Sequence, residues 1–201
     1  MATPARAARE ESSEIEPSSV MARMSCTAHR EEHLAPMNGD HICNAPQLIA
    51  TRAITISASP AHVFPWIRQM GFGKAGWYSY DIVDNLGRRS AKTINPLWQE
   101  VHSGDAIPGG PVDFYADLVN APHTLVMSLH GNGRIAKRIC FSLAYELHNH
   151  PTGTRLVTRV RARINLPLGG LMARYVLGPG DGIMLRKQLR NIARRAESGN
   201  S

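Results

Sequence analysis

The segment from Asp181 to Glu197, DGIMLRKQLRNIARRAE, constrains the fold more than any other. Leu185, Leu189, Ile192 and Ala196 recur at i, i+4, i+7 and i+11, so they share one face of an α-helix. Arg186, Lys187, Arg190, Arg194 and Arg195 take the opposite face. Asp181 is placed to cap the first free N–H groups, and Gly178-Pro179-Gly180 ahead of it predicts a clean start. A helix with one apolar stripe needs an apolar partner. The preceding stretch supplies one: it alternates with period two, and a sheet built that way leaves one face needing cover.

Four strands are predicted there, over Val112–Val119, Thr124–His130, Lys137–His148 and Thr154–Asn165. Turn residues part them: Asn120-Ala121-Pro122, Gly131-Asn132-Gly133 and Pro151-Thr152-Gly153. Short connections make the pairing antiparallel. In the third strand Ile139, Phe141, Leu143, Tyr145 and Leu147 share a face. In the fourth, Leu156, Val160, Ala162 and Ile164 oppose Arg155, Arg159, Arg161 and Arg163. The aliphatic face suits the interior, so the arginines are expected to point outward. Leu166 to Leu177 is apolar but broken by Pro167, Gly169 and Gly170, and is expected to run irregularly into the last helix.

Earlier in the chain, Ile49–Ala58 alternates as a strand. Ser59-Pro60 opens a helix to about Met70, with Pro65 awkward in its second turn. GFGKAG at 71–76 is a glycine-rich turn, and its context is not that of a nucleotide loop. Trp77-Tyr78-Ser79-Tyr80 is the most aromatic stretch. Asp81 to Leu86 reads as a short helix, and Gly104-Asp105 and Pro108 to Pro111 read as turns. The order strand, helix, helix, strands, long helix predicts an α+β fold with the helices on one face of an antiparallel sheet.

At 201 residues the chain suits one domain with a tail. Residues 1–36 lack an apolar period and read as disordered, with Met37 a possible internal start. Cys26, His29, His33, His41 and Cys43 have suggestive spacing, but with no paired-cysteine motif or core to hold them a metal is not expected. The same holds for His148 and His150. Three widely spaced cysteines argue against a disulfide framework and for a reducing cytosol. There is no apolar run long enough for a membrane span and no secretory signal. Residues 1–50 hold 4 Lys/Arg against 7 Asp/Glu, a net of −3; residues 51–201 hold 19 against 9, a net of +10. A basic domain invites anionic partners. Without an aromatic–basic platform or a helix-turn-helix, nucleic acid is not expected, whereas weak membrane-surface contact through 166–177 and the basic helix face is admissible.

Five stretches carry a family resemblance: TRAITISASPAHVFPWIRQMG at 51–71, GWYSYDIVDNLGR at 76–88, INPLWQEVHSGDAIPGGP at 94–111, GTRLVTRVRAR at 153–163 and PGDGIMLRKQLRNIARRAE at 179–197. Together they resemble the SRPBCC superfamily (START-like, helix-grip, related to polyketide cyclases and pollen-allergen-like proteins), in an actinobacterial-type branch of uncharacterised members. The resemblance implies a curved antiparallel sheet wrapped around the long C-terminal helix, with an apolar cavity between them. It implies a domain over 45–197, with 1–44 a disordered tail and 198–201 a short C-terminal one. It names no ligand, because one fold hosts many functions. In the third strand Phe141 stands where such proteins lead one to expect tryptophan.

The expected function is binding of a small hydrophobic or amphipathic molecule in that cavity, in the cytoplasm, without cofactor or metal. The alternative is a cyclase- or dehydratase-like enzyme using a cavity Tyr, Asp or His as general acid or base. Expected cavity-lining residues are Trp77, Tyr78, Tyr80, Phe114, Met127, Phe141, Tyr145 and Leu185, since flat or apolar side chains bury a ligand and a hydroxyl orients it. Candidate proton donors or acceptors are Tyr145, Asp81, Asp84, His102 and Asp105, against a capping or turn role for each.

Overall fold

The computed structural model describes residues 25–110, 112–129, 138–165 and 178–199. In chain order the elements are α1 (Arg30–Leu34), β1 (Leu48–Ile56), α2 (Pro60–Arg68), α3 (Asp81–Asp84), a 3-10 turn (Pro96–Trp98), β2 (Ala106–Ile107), β3 (Phe114–Asn120), β4 (Thr124–Leu129), β5 (Ile139–His150), β6 (Gly153–Ile164) and α4 (Gly178–Ser198). The strands form one antiparallel sheet ordered β1-β6-β5-β4-β3-β2. The first strand thus closes against the last, and α4 packs on the inner face against β1 and α2.

Period-two alternation puts the expected residues inside. Phe141, Leu143, Tyr145 and Leu147 of β5 stand opposite Ala162, Val160, Thr158 and Leu156 of β6. Leu185, Leu189, Ile192 and Ala196 of α4 meet them in one core with Val63, Phe64 and Ile67 of α2. Leu189 is fully buried, and burial of such a side chain contributes about 2 to 3 kcal/mol.

Two local expectations change, and the glycine-rich turn stands. Helix α4 begins at Gly178, one turn before Asp181; Pro179 fits the first turn, where its missing N–H is not needed. The turn-rich region at 104–111 contributes β2, two residues that pair with Tyr115 and Phe114. GFGKAG is closed by a bridge between Gly71 and Gly76. The Leu166–Leu177 expectation lies outside the described residues.

The largest correction concerns the N-terminal region. Residues 25–44 do not form a disordered tail: Cys26 is buried in the main core, its thiol donating to the Arg186 carbonyl of α4, and the chain from Ala28 on lies as a strap across the outer face of the sheet. Ala28 and Met37 are buried there with Ala53, Val126, Ala144 and Val157, a second and smaller apolar layer. The arginines of β6 do point away from the cavity, but they anchor this strap rather than meet water. Arg159 is 4% exposed. It donates to Thr51 Oγ1 at 3.0 Å, Asp40 Oδ2 at 2.8 Å, and the carbonyls of Ala35, Glu32 and His33 at 2.9, 2.7 and 3.2 Å. Arg155 grips Glu32 with two bonds of 2.7 and 2.8 Å. Burial works to raise the Glu32 carboxyl, but the Arg155 fork and the His29 amide outweigh it and hold it below its ordinary range. Arg161 and Arg163 donate to the carbonyls of Cys43 and Asn44. Cation-to-carbonyl bonds of this kind replace the hydration a buried guanidinium loses.

Candidate functional site

Between the inner face and the start of α4 lies a cavity of about 230 Å³. Trp77, Phe114, Phe141 and Leu185 line it, with Leu143, Val160 and Met184. The aromatic wall is built by contact: Trp77 meets Phe114 edge-on at 5.3 Å between centroids, and Phe114 meets Phe141 at 5.7 Å. Sheet register holds Phe114 and Phe141, and the turn after Gly76 delivers Trp77.

The polar lining falls in two places. On one side stands Gln188 of α4, which accepts from the Tyr145 hydroxyl at 2.8 Å and donates to the Trp77 carbonyl at 2.9 Å. Gln188 and Tyr145 are thereby committed to one another and to the backbone. On the other side stand Ser79 and Asp84. The Ser79 Oγ and both Asp84 carboxylate oxygens are buried, with no hydrogen-bond partner among the described residues. Burial pushes the Asp84 carboxyl up from its ordinary range and Asp81 pushes it further; the nearby Ser79 hydroxyl and the Asp84 and Tyr80 amides pull it down in part, none of them reaching full hydrogen-bond geometry. An unsatisfied buried polar group costs about 1 to 3 kcal/mol, so this corner favours any ligand that supplies a donor.

Of the residues expected to line the cavity, four do: Trp77, Phe114, Phe141 and Leu185. Tyr145 is fully buried behind Gln188 and reaches the cavity only through it. Met127 is enclosed in the core and is not part of the lining. Tyr78 takes a left-handed backbone, φ 57°, which turns its ring out of the alternation. Its hydroxyl accepts from Gln69 Nε2 at 2.7 Å, and burial pushes its pKa up to about 12. Tyr80 faces a groove on the other side of α3, with the Lys187 ammonium 3.6 Å from its ring centre.

Among the acid–base candidates, only Asp84 enters the cavity. Asp81 accepts from both the hydroxyl and the amide of Ser90, at 2.5 and 3.1 Å. His102 and Asp105 stay in an exposed turn, where Asp105 accepts the His102 amide at 2.8 Å. Cys26, His29, His33, His41 and Cys43 are spread along the strap; among the described residues no group of three or more His, Cys, Asp or Glu is placed to hold a metal. His148 lies 3.5 Å from Glu146 on the outer face. The sequence reading missed Gln188 and Ser79. Gln188 carried a signal: it falls between Leu185 and Leu189 on the apolar face of α4, where a polar side chain needs a buried partner.

No protein-family model matches the sequence, and neither does any curated protein. Solved structures do match. A Staphylococcus aureus protein of unknown function aligns with a TM-score of 0.51 at 11% identity, over 76% of this chain and 95% of its own. A norcoclaurine synthase point mutant from Thalictrum gives 0.49 at 10% identity, over 77% and 96%. An AHSA1-like protein from Aeromonas hydrophila gives 0.43 at 11% identity, over 76% and 94%. At such identities the likeness speaks to fold alone. Among the described residues no helix is long and apolar enough to cross a membrane. Among the described residues six antiparallel strands close on one C-terminal helix, with two short helices after the first strand, and this α+β helix-grip arrangement is the fold shared with the Staphylococcus aureus protein.

Proposed function

We propose that this protein binds a small, mainly apolar molecule bearing one hydrogen-bond donor, an amine or a hydroxyl, in the cavity between sheet and α4. The observation that carries this reading is the polar corner at Ser79 and Asp84, buried and unpartnered in an otherwise apolar pocket. Apolar contact with Trp77, Phe114 and Phe141 supplies affinity, and the Asp84 carboxyl fixes orientation. The volume is below the roughly 300 to 1,000 Å³ of drug-sized sites, which favours a small ligand. Cys26, Cys43 and Cys140 form no disulfide among the described residues, which is compatible with a reducing cytoplasm as the protein's location.

Asp84 also supports a second reading, a cyclase- or dehydratase-like enzyme. A carboxyl whose burial favours its neutral form can give a proton to a bound substrate and take one back.

The test is native mass spectrometry of the gently purified full-length chain, then thermal-shift screening of small aromatic amines and alcohols against hydrocarbons of the same shape. Donor-bearing ligands should shift the melting temperature more, and Asp84→Asn should remove the difference. Equal shifts with and without the donor, or no ligand bound in either measurement, would overturn the binding reading. Turnover of a bound ligand that disappears in Asp84→Asn would favour the enzyme.

A further inference from the structure

Helix α3 has two sides. Asp84 lines the ligand cavity, whereas Ile82 and Val83 lie at the rim of a separate groove between α3 and α4. Ile82 is 84% exposed, Val83 69% and Leu86 77%, and Tyr80 beside them is also exposed. Large apolar side chains so exposed within seven consecutive residues form a patch that water does not favour, and such patches mark interaction sites. The core does not need them, because Trp77 and Tyr78 just upstream already tie this segment down.

The groove under the patch has its own chemistry. It encloses about 540 Å³ and is lined by Arg89, Lys187 and Arg195, with Asn191, Ser90 and Asp81 among the polar groups. Asp81 is occupied by Ser90, and Arg195 donates to the carbonyls of Ala91 and Asn191. Arg89 is exposed, as is Arg88 next to it. The Lys187 ammonium stacks on the Tyr80 ring and keeps its N–H donors for another partner. Apolar tips above a cationic groove match one partner well: acyl chains lying beneath anionic headgroups. A protein partner would have to supply both features on one surface; an anionic bilayer presents both everywhere.

We propose that the α3–α4 groove and its apolar rim dock this protein on an anionic membrane surface. Ile82, Val83 and Leu86 enter the acyl boundary, while Arg88, Arg89 and Lys187 meet the headgroups. The docking helix also carries Asp84 of the cavity on its other side. The proposal does not depend on which ligand the cavity holds.

The experiment is vesicle flotation of the full-length protein with phosphatidylcholine vesicles, alone and mixed with phosphatidylserine. Partitioning should favour the anionic vesicles by about tenfold or more and weaken with added salt, since each basic residue near the surface favours binding severalfold. Ile82→Asp/Val83→Asp should reduce it by at least about tenfold, and Arg88→Glu/Arg89→Glu likewise. These side chains are exposed, so the melting temperature should match wild type; Leu86→Asp repeats the test should either double variant fold poorly. Absence of flotation by the folded wild type overturns the proposal. Anionic binding that survives Ile82→Asp/Val83→Asp and Leu86→Asp overturns it in favour of diffuse basic charge. Binding of soluble glycerophosphoserine without flotation overturns it in favour of a free anion.

Discussion

Replacing Arg159 with alanine tests the strap directly. The side chain makes five hydrogen bonds, four of them to residues 32–40 and one to Thr51. Removing one partner of a buried ion pair typically costs about 3 to 5 kcal/mol. Two features place this site at the low end. Asp40 keeps Arg161 at 3.2 Å and the Met37 amide at 3.0 Å, and its side chain is 25% exposed, so water can reach it. The carbonyls of Glu32, His33 and Ala35 lose a charged donor but lie near the surface. The expected cost is therefore about 3 kcal/mol. For a domain of this size that lowers the melting temperature by about 6 to 12 °C.

The assay is calorimetric or fluorescence melting of Arg159→Ala, with hydrogen exchange to locate the effect. Amides in 25–44 should exchange slowly in wild type and rapidly in the variant, while β5 amides such as Leu143 keep most of their protection. Arg159→Lys should fall between, because a single ammonium cannot fork to three carbonyls and a carboxylate. A melting change under about 2 °C, or wild-type amides in 25–44 that exchange at the free-chain rate, would refute the strap.

Three further outcomes are expected. Leu189→Asp puts a carboxylate where exposure is zero, between α4 and the sheet, and should cost more than about 4 kcal/mol by denaturant unfolding; an unchanged midpoint would mean that α4 does not pack as described. Gly39→Ala should cost about 2 to 4 kcal/mol, since Gly39 has φ +84° and an added Cβ would stand 2.5 Å from Val126 Cγ1; wild-type stability there would contradict the close approach of strap and sheet. The third outcome concerns pH. Asp84 has a folded-state pKa above its unfolded one, so its protonated form favours the fold. That contribution is complete below the ordinary carboxylate range and is lost as pH rises through the raised folded value. Asp84→Asn, which cannot ionise, should thus melt higher than wild type at neutral pH and lose that advantage in acid; an equal difference at every pH would show that Asp84 is not buried as described.

Legibility differed by region for physical reasons. Strands β5 and β6 and helix α4 could be read because one face of each is buried against a single core, which forces a strict period. Phe141 and Leu185 followed from that geometry, whereas Trp77 stood out only as part of the aromatic stretch at 77–80. Tyr78 could not, because one left-handed residue reverses the alternation and no neighbouring glycine announces it. Asp84 was visible as one of five acid–base candidates, each with a cap or turn role as the alternative; that its oxygens are buried depends on how α3 sits over the cavity. The strap was least legible. Its buried apolar residues are few, Cys26, Ala28, Met37 and Cys43, and it is held by charged partners more than a hundred residues away. Composition alone makes such a segment look solvated.

The arginines of β6 show why an outward-facing charged stripe is an ambiguous signal. Period two fixed their face correctly, yet a solvated face and a covered one have the same sequence pattern. What distinguishes them is whether other chain can bring carbonyls and carboxylates to the guanidinium groups, and residues 25–44 do so. The consequence reaches the cavity. Arg159 and Val160 are neighbours on β6, one holding the strap and the other lining the cavity. A strand clamped on its outer face has less freedom to flex on its inner one. Arg159→Ala should therefore weaken binding of whatever ligand the thermal-shift screen identifies, by about two- to fivefold, although Arg159 touches no part of the cavity. Undiminished affinity in a variant whose strap has been shown to exchange freely would mean that the two faces of the sheet act independently.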